Sequence, residues 1–152
     1  MSNKIKGRFS KILIAIDGSE PSMNAADYAI EMAKKDNAKL IALTVAHILS
    51  SSYGLATLPD ELKQAKEKEM LESKQWFDKF NQNAKQNNIQ LKTELIDTQM
   101  SVEGAIVEYA ESEGVDLIII GTRGRSGFKK MLLGSVASGV VTYATCPVMV
   151  VK

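Results

Sequence analysis

Three segments of the chain are apolar at nearly every position, and they constrain its fold more than any other feature. They are KILIAID (11–17), KLIALTVAHI (39–48) and DLIIIG (116–121). A strand with one face in water alternates apolar and polar residues, so unbroken apolar runs indicate strands buried on both faces. Such strands belong to parallel sheets that carry helices on both sides. The sequence therefore predicts an α/β protein.

Helical segments separate these strands. Ser19 and Ser101 can each cap a helix, and Pro21 suits a first helical turn because its missing N–H is not needed there. Another helix begins at Ser135. A long helix of roughly 25–30 residues is predicted after position 59 from its apolar spacing. The stripe of this long helix consists of Leu62, Ala65, Phe77, Phe80 and Ala84.

Two further strands complete the predicted sheet. IQLKTELID (89–97) alternates apolar and polar residues, as a half-exposed edge strand does, and CPVMVVK (146–152) is a short last strand that begins with a tolerated proline. Right-handed crossovers leave few arrangements for five strands that alternate with four helices. With the apolar strands central, the prediction is an open, doubly wound, five-stranded parallel sheet of order 3-2-1-4-5, with helices on both faces. A single domain spans residues 1–152.

Composition narrows the class of protein. The chain has 152 residues, 45% of them hydrophobic and 24% charged, which is ordinary for a soluble domain. Its single cysteine, Cys146, suits a reducing cytosol. No apolar run approaches the roughly 20 residues of a bilayer span, and no secretory signal pattern is present. We expect a cytoplasmic protein with neither membrane nor nucleic acid as its partner.

Basic residues and glycines are concentrated directly after the predicted strand at 116–121. All 18 acidic residues lie within the first 116 positions. The stretch GTRGRSGFKKMLLGS (121–135) then combines four glycines with four basic residues. A cationic segment favours an anionic ligand, although such a run is more often only solvated surface.

The predicted strand order gives this stretch a place. In a doubly wound sheet, ligands bind beyond the carboxyl ends of the strands where the strand order reverses, here between the first and fourth strands. Asp17 and Gly121 end those strands. Gly121 and Gly124 would let the backbone approach a ligand closely. Gly134 and Ser135 open the last helix, whose N–H groups and dipole attract anions. These groups suit the ribose and phosphates of a nucleotide.

The spacing Gly-2x-Gly-9x-Gly-Ser is neither a Walker A loop nor a Gly-x-Gly-x-x-Gly fingerprint. It resembles the ATP-binding motif of the universal stress protein family. The resemblance extends over KILIAIDGSEPSMNAADYAIEMAK (11–34) and LIIIGTRGRSGFKKMLLGSVASGVVTYATCPVMVVK (117–152). A second branch of the family lacks the motif and does not bind ATP, and this chain is similar to the ATP-binding branch.

The resemblance implies a ligand, a residue set and an assembly. The ligand is ATP, with Mg²⁺ or Mn²⁺ left open. The residues implied on the adenine side are Ala15, Ile16, Asp17 and Val45. Those implied around the ribose and phosphates are Ile120, Gly121, Arg123, Gly124, Gly134, Ser135, Val136 and Ala137. The implied assembly is a homodimer that pairs through the last strand (147–152), whose apolar edge would otherwise stay open.

Alternatives remain open for function and for single residues. A slow ATP hydrolase or phosphotransferase would need a base and metal ligands beyond Asp17, and a nucleotide-free dimeric scaffold would need neither. Asp17 alone could simply cap a turn. His47 and Cys146 lack the neighbours of a metal site or catalytic triad, so no catalytic residue is predicted. Trp76, with Phe77 and Phe80, is predicted to be helix core or interface.

Overall fold

Five strands alternate with four helices along the residues that the computed structural model describes, which are 8–46, 59–122 and 133–152. The strands are β1 (Lys11–Ala15), β2 (Lys39–Ala46), β3 (Leu91–Asp97), β4 (Leu117–Gly121) and β5 (Val148–Val151). The helices are α1 (Glu20–Asp36), α2 (Asp60–Gln86), α3 (Val102–Glu113) and α4 (Ser135–Tyr143). All strand pairs are parallel and the order is β3-β2-β1-β4-β5, which confirms the predicted fold class and order.

Both faces of the sheet are buried because each carries two helices. On the α1/α2 face, Ile12 and Ile14 of β1 pack in one cluster with residues of α1 and with Phe80 of α2. On the α3/α4 face, Leu13 packs in a second cluster that includes Ile106 of α3. Successive strand residues point to opposite faces. This double burial is the physical reason for the unbroken apolar runs.

Local sequence signals set the helix boundaries. The Ser19 hydroxyl accepts a hydrogen bond from the Ser22 amide (3.2 Å), and the Ser101 hydroxyl accepts one from the Gly104 amide (3.1 Å). Both serines therefore cap helices as predicted. At the other end, α3 stops at Gly114, whose φ of 70° is readily adopted by glycine.

The second half of α2 carries its buried contacts. Ser73, Phe80 and Ala84 are the buried residues of this helix. In the first half, Leu62 is only half-buried and Ala65 is exposed. The length of 27 residues confirms the prediction, but the stripe is wrong at Ala65 because this part of the helix does not bury that side chain.

A carboxylate joins the two central strands where they begin. Asp116, just before β4, accepts hydrogen bonds from the Ser10 amide (2.9 Å), the Ser10 hydroxyl (2.9 Å) and the Lys11 amide (3.0 Å). Burial opposes ionisation of this carboxyl group, but the hydrogen bonds from Ser10 and Lys11 outweigh it and lower the pKa of Asp116 below its ordinary value of 3.8. The amino ends of β1 and β4 are thus fixed by a charged acceptor.

We expect Asp116→Ala to lower the free energy of unfolding by about 1–2 kcal/mol, because three donors lose their charged acceptor. A carboxyl group whose pKa is lower in the folded state stabilises above its unfolded pKa, and the contribution is lost as pH falls through the folded value. Urea unfolding at pH 7 and at a series of pH values below 3.8 should therefore show the variant and wild type converging as the pH falls. Asp27→Ala, on the exposed face of α1, is the matched control. An equal effect of both substitutions at pH 7 would contradict the role of Asp116.

Candidate functional site

The end of β4 and the start of α4 are joined directly. The Thr122 amide donates to the Val151 carbonyl of β5 (2.9 Å), and the Thr122 carbonyl accepts from the Gly134 amide (2.6 Å). The segment between them contains Arg123 and Gly124, which lie outside the described residues. The described residues on either side of that segment, Thr122 and Gly134, both lie at the carboxyl edge of β4. This is the strand-order reversal at which the sequence predicts a site.

Asp17 lies at the same edge, in the turn between β1 and α1. One of its carboxylate oxygens, Oδ1, accepts from the Ser19 amide at 2.9 Å, and the Asp17 amide donates to the Ser22 hydroxyl at 3.3 Å. Asp17 therefore caps the turn, as its simpler interpretation predicts. Among the described residues, its second oxygen, Oδ2, accepts no hydrogen bond. A half-buried carboxylate with one oxygen so occupied can still bind a donor through the other.

The apolar residues predicted for the site fall on two faces of the sheet. Five of them pack in the cluster of the α3/α4 face: Ala15, Val45, Ile120, Val136 and Ala137. Ile16 is not brought together with them, because its side chain is 2% exposed in the cluster of the α1/α2 face. Its amide donates to the Leu43 carbonyl (2.9 Å) and its carbonyl accepts from the Thr44 hydroxyl (2.8 Å). Ile16 thus holds the end of β1 in the sheet.

The start of α4 differs from the start of the other three described helices. Its N-cap is Gly134, Ser135 is exposed, and no side chain caps the first turn, which is also true of α2. The first turns of α1, α2 and α3 each contain an acidic residue, whereas that of α4 contains none. The positive end of the α4 dipole is therefore not offset by a carboxylate in its own first turn. Such a helix start can bind an anion through its amides.

Gly121 is a glycine for a reason that the sequence does not reveal. A β-carbon at this buried position would lie 2.8 Å from the carbonyl carbon and 2.9 Å from the carbonyl oxygen of Pro21. The end of β4 is therefore packed directly against the first turn of α1. Pro21 was missed as a neighbour because the contact joins elements that are 100 positions apart in the chain. Trp76 of α2 was missed for the same reason, and it packs against Gly18 in the turn that holds Asp17.

Other reactive groups add little to this site. Burial, and next the negative charge of Asp116, raise the pKa of the Cys146 thiol above its usual 9.0, so the thiol stays protonated at neutral pH. His47 lies outside the described residues. Within the described ranges, no three His, Cys, Asp or Glu side chains cluster as metal ligands. In those same ranges, no helix has the length and apolarity to cross a bilayer.

The fold is that of a doubly wound α/β protein, and its strand order reverses between β1 and β4, beside the start of α4. Comparison with known proteins then identifies the family. The sequence model of the universal stress protein family matches residues 8–152, and the chain belongs to that family. The resemblance stated from the sequence is thereby confirmed.

Individual relatives match along nearly the whole chain. Universal stress protein YxiE of Bacillus subtilis is 36% identical over 152 residues, which cover 95% of this chain and 99% of the relative. Universal stress protein MJ0531 of Methanocaldococcus jannaschii is 38% identical over 146 residues, covering 95% and 82%. The structure of universal stress protein UspA from Lactobacillus plantarum has a TM-score of 0.81 at 28% identity, covering 94% and 97%.

More distant members of known structure carry adenine nucleotides. One from Archaeoglobus fulgidus is in complex with dAMP, at 20% identity and TM-score 0.67, covering 94% and 98% of the two chains. One from Arabidopsis thaliana has AMP bound, at 16% identity and TM-score 0.66, covering 94% and 91%. A third is in complex with cAMP, at 23% identity and TM-score 0.65, covering 95% and 97%. At these identities the likeness shows the fold alone.

Gly121→Ala should destabilise the ligand-free protein by about 1–3 kcal/mol, because the added carbon would overlap the backbone of Pro21. Urea unfolding without any nucleotide measures this. Gly114→Ala is the control, since a β-carbon there meets nothing within 4 Å and only the positive φ of 70° is unfavourable. The packing explanation fails if Gly121→Ala unfolds at the wild-type midpoint.

Proposed function

We propose that this protein is a cytoplasmic, ATP-binding regulator, with the nucleotide held where β1, β4 and α4 meet. The observation that carries the proposal is the hydrogen bond from the Gly134 amide to the Thr122 carbonyl, because it sets the start of α4 beside the end of β4. Asp17, at the end of the neighbouring strand, then lies at the same edge. The adenine nucleotides bound by other members of the family support the same ligand class.

The adenine base would lie on the β1 side of the proposed nucleotide site. The Asp17 Oδ2 atom can accept from the exocyclic amine of adenine, since Oδ1 is already used by the Ser19 amide. Ala15, Val45 and Ile120 share the apolar cluster beneath this edge and can contact the ring. Ile16 would contribute through strand position alone, because its side chain points to the other face.

The phosphates would lie at the start of α4. The amides of Ser135, Val136 and Ala137 form the first turn of a helix that lacks a side-chain cap, and the Ser135 hydroxyl adds a donor. Gly121, Arg123 and Gly124 would complete the phosphate turn. Where Mg²⁺ or Mn²⁺ accompanies the nucleotide, it would bind through the phosphate oxygens. With no positioned base proposed, any hydrolysis would be slow.

Asp17→Asn should shift the preference of the site from adenine to hypoxanthine while leaving the turn intact. The side-chain oxygen of the introduced asparagine can still accept from the Ser19 amide, but its NH₂ group would face the adenine amine as a second donor. We expect ATP affinity to fall about 10- to 100-fold, and the affinity for ITP, which has a carbonyl oxygen in place of that amine, to stay the same or rise. Isothermal titration calorimetry with nucleotide-free protein measures both constants.

Two results of that titration would count against the proposal. Wild-type protein that binds neither ATP nor AMP nor ADP would exclude the nucleotide function and favour a nucleotide-free scaffold. An equal loss of ATP and ITP affinity in Asp17→Asn would place the base elsewhere. Asp27→Asn, on the exposed face of α1, is the matched control and should bind both nucleotides as wild type does.

The proposed assembly is a homodimer through β5, and the two edges of the sheet support it. The outer edge at β3 carries Lys92, which pairs with Glu94 (3.7 Å) and Glu113 (3.3 Å), and charge discourages edge-to-edge pairing. The outer edge at β5 has the sequence VMVV, without charge or proline. A second copy related by a two-fold axis could pair with it and cover it.

The hydrogen-bond register assigns an outward direction within β5. The Pro147 carbonyl accepts from the Ile118 amide of β4, and the Val151 carbonyl accepts from the Thr122 amide just after β4, so both carbonyls point inward. Because backbone direction alternates along a strand, the polar groups of Val148 and Val150 point outward. Val150→Pro should therefore remove an outward donor, keep the bonds to β4, and yield a monomer that still binds ATP.

Multi-angle light scattering at micromolar concentration measures the assembly. Met149→Pro is the contrasting variant, since it removes an inward donor to β4 and should destabilise the fold itself. A monomeric wild-type protein would overturn the dimer, and so would a Val150→Pro variant that remains dimeric.

A further inference from the structure

Trp76 is the only tryptophan of the chain, and it contacts the turn that carries Asp17. It lies in the second half of α2, half-buried against the cluster of the α1/α2 face. Its six-membered ring lies beside Gly18, where a β-carbon would overlap the ring atoms Cζ2, Cε2 and Cη2. The helix α2, which is distant in sequence, thus packs against the turn between β1 and α1.

Gly18 is constrained twice. Its φ is +83°, a region that residues with a β-carbon rarely adopt, and the space where a β-carbon would lie is filled by the indole of Trp76. These constraints are independent, because the first belongs to the backbone and the second depends on Trp76. Removing the ring would therefore relieve only one of them.

Among the described residues, few contacts fix the direction of the Asp17 side chain, although the Asp17 amide also donates to the Ser22 hydroxyl at 3.3 Å. Its neighbours Gly18 and Ser19 form the link to α1, and the described hydrogen bond to the carboxylate comes from the Ser19 amide at 2.9 Å. That bond depends on the φ of Gly18, since the rotation there sets where the Ser19 amide points. A ring packed on Gly18 limits this rotation. The orientation of Oδ2 thus depends on the packing of Trp76 against Gly18.

We propose that Trp76 is a positioning residue for the nucleotide site, which holds the turn from 17 to 19 so that Asp17 Oδ2 is presented to the base. The inference rests on the proposed function, and it adds α2 to the elements that control selectivity for adenine. Trp76 acts through Asp17, so its removal should impair recognition of the adenine amine more than it impairs phosphate binding.

A double-mutant cycle tests the contact without any ligand. Gly18→Ala should lower the urea midpoint strongly in the wild-type background. In the Trp76→Ala background the same change should lower it at least about two-fold less, because the clash is gone and only the φ strain remains. Equal decreases in both backgrounds would show that the ring does not restrain Gly18.

Amide hydrogen exchange provides the second ligand-free measurement. In Trp76→Ala, exchange at the Ser19 amide should rise at least about ten-fold, because its hydrogen bond to Asp17 opens more often. The Gly104 amide, which donates to Ser101 at the start of α3, is the internal control and should exchange at the wild-type rate. Unchanged protection at Ser19 would overturn the positioning role.

Calorimetry then tests the effect on selectivity. We expect Trp76→Ala to reduce ATP affinity about ten-fold with little change for ITP, and Trp76→Phe to restore part of the loss. Phe77→Ala, on the same helix and packed against the same cluster, is the matched control for destabilisation and should leave the ATP-to-ITP ratio unchanged.

The outcomes separate the two proposals. Wild-type affinity and selectivity in Trp76→Ala would overturn the role of Trp76 and leave nucleotide binding intact. Absence of nucleotide binding by wild-type protein would overturn the proposed function and, with it, any role of Trp76 in selectivity. The cycle and the exchange rates would still decide whether Trp76 holds the turn.

Discussion

The parallel pairing of β1 with β4 is the interaction on which the rest of the structure depends. Its register places Ile12 beside Leu117 and Ile14 beside Ile119. The helices that follow these two strands pack on opposite faces, so the chain diverges at their carboxyl ends, which is where doubly wound folds bind ligands. A slip of one residue would turn every side chain of a strand to the other face, which double burial makes costly. The location of the candidate site therefore follows from the packing of the core.

Residues beside the candidate site also form packing contacts that stabilise the fold. Gly121 lies against the backbone of Pro21, and Gly18 lies against the ring of Trp76. Each glycine thus permits a close contact between distant elements as well as a turn at the candidate site. A substitution at either position changes stability and ligand geometry together. Loss of binding by such a variant has meaning only beside its ligand-free stability, because both effects share one physical origin.

The two edge strands of the sheet, β3 and β5, differ in how their unpaired backbone groups are protected. At β3, Lys92 and its two acidic partners place charge along the edge, although these exposed ion pairs add little to stability. At β5, the side chains are apolar and alternate between the two faces, with Val148 and Val150 on one face and Met149 and Val151 on the other. An uncharged edge of this kind favours pairing with another strand.

The sequence by itself determined the five strands, the helix caps at Ser19 and Ser101, and the strand order. Apolar runs such as KILIA directly indicate strands that are buried on both faces. Ser19 and Ser101 indicate helix starts because each side chain accepts a local hydrogen bond. The edge of the sheet at which Asp17 and Gly134 both lie was also predicted, because the strand order alone fixes it. Such features can be predicted because they depend only on residues within a few positions of one another, or on a general rule of sheet topology.

Tertiary structure decided which face each side chain joins and why particular glycines are required. The sequence grouped Ile16 with Ala15 and Val45, but strand alternation sends its side chain to the opposite face. The reasons for Gly18 and Gly121 lie in Trp76 and Pro21, residues that no local pattern connects to them. Contacts between elements depend on the packing of whole helices against the sheet. That packing is a property of the folded chain, and no short segment encodes it.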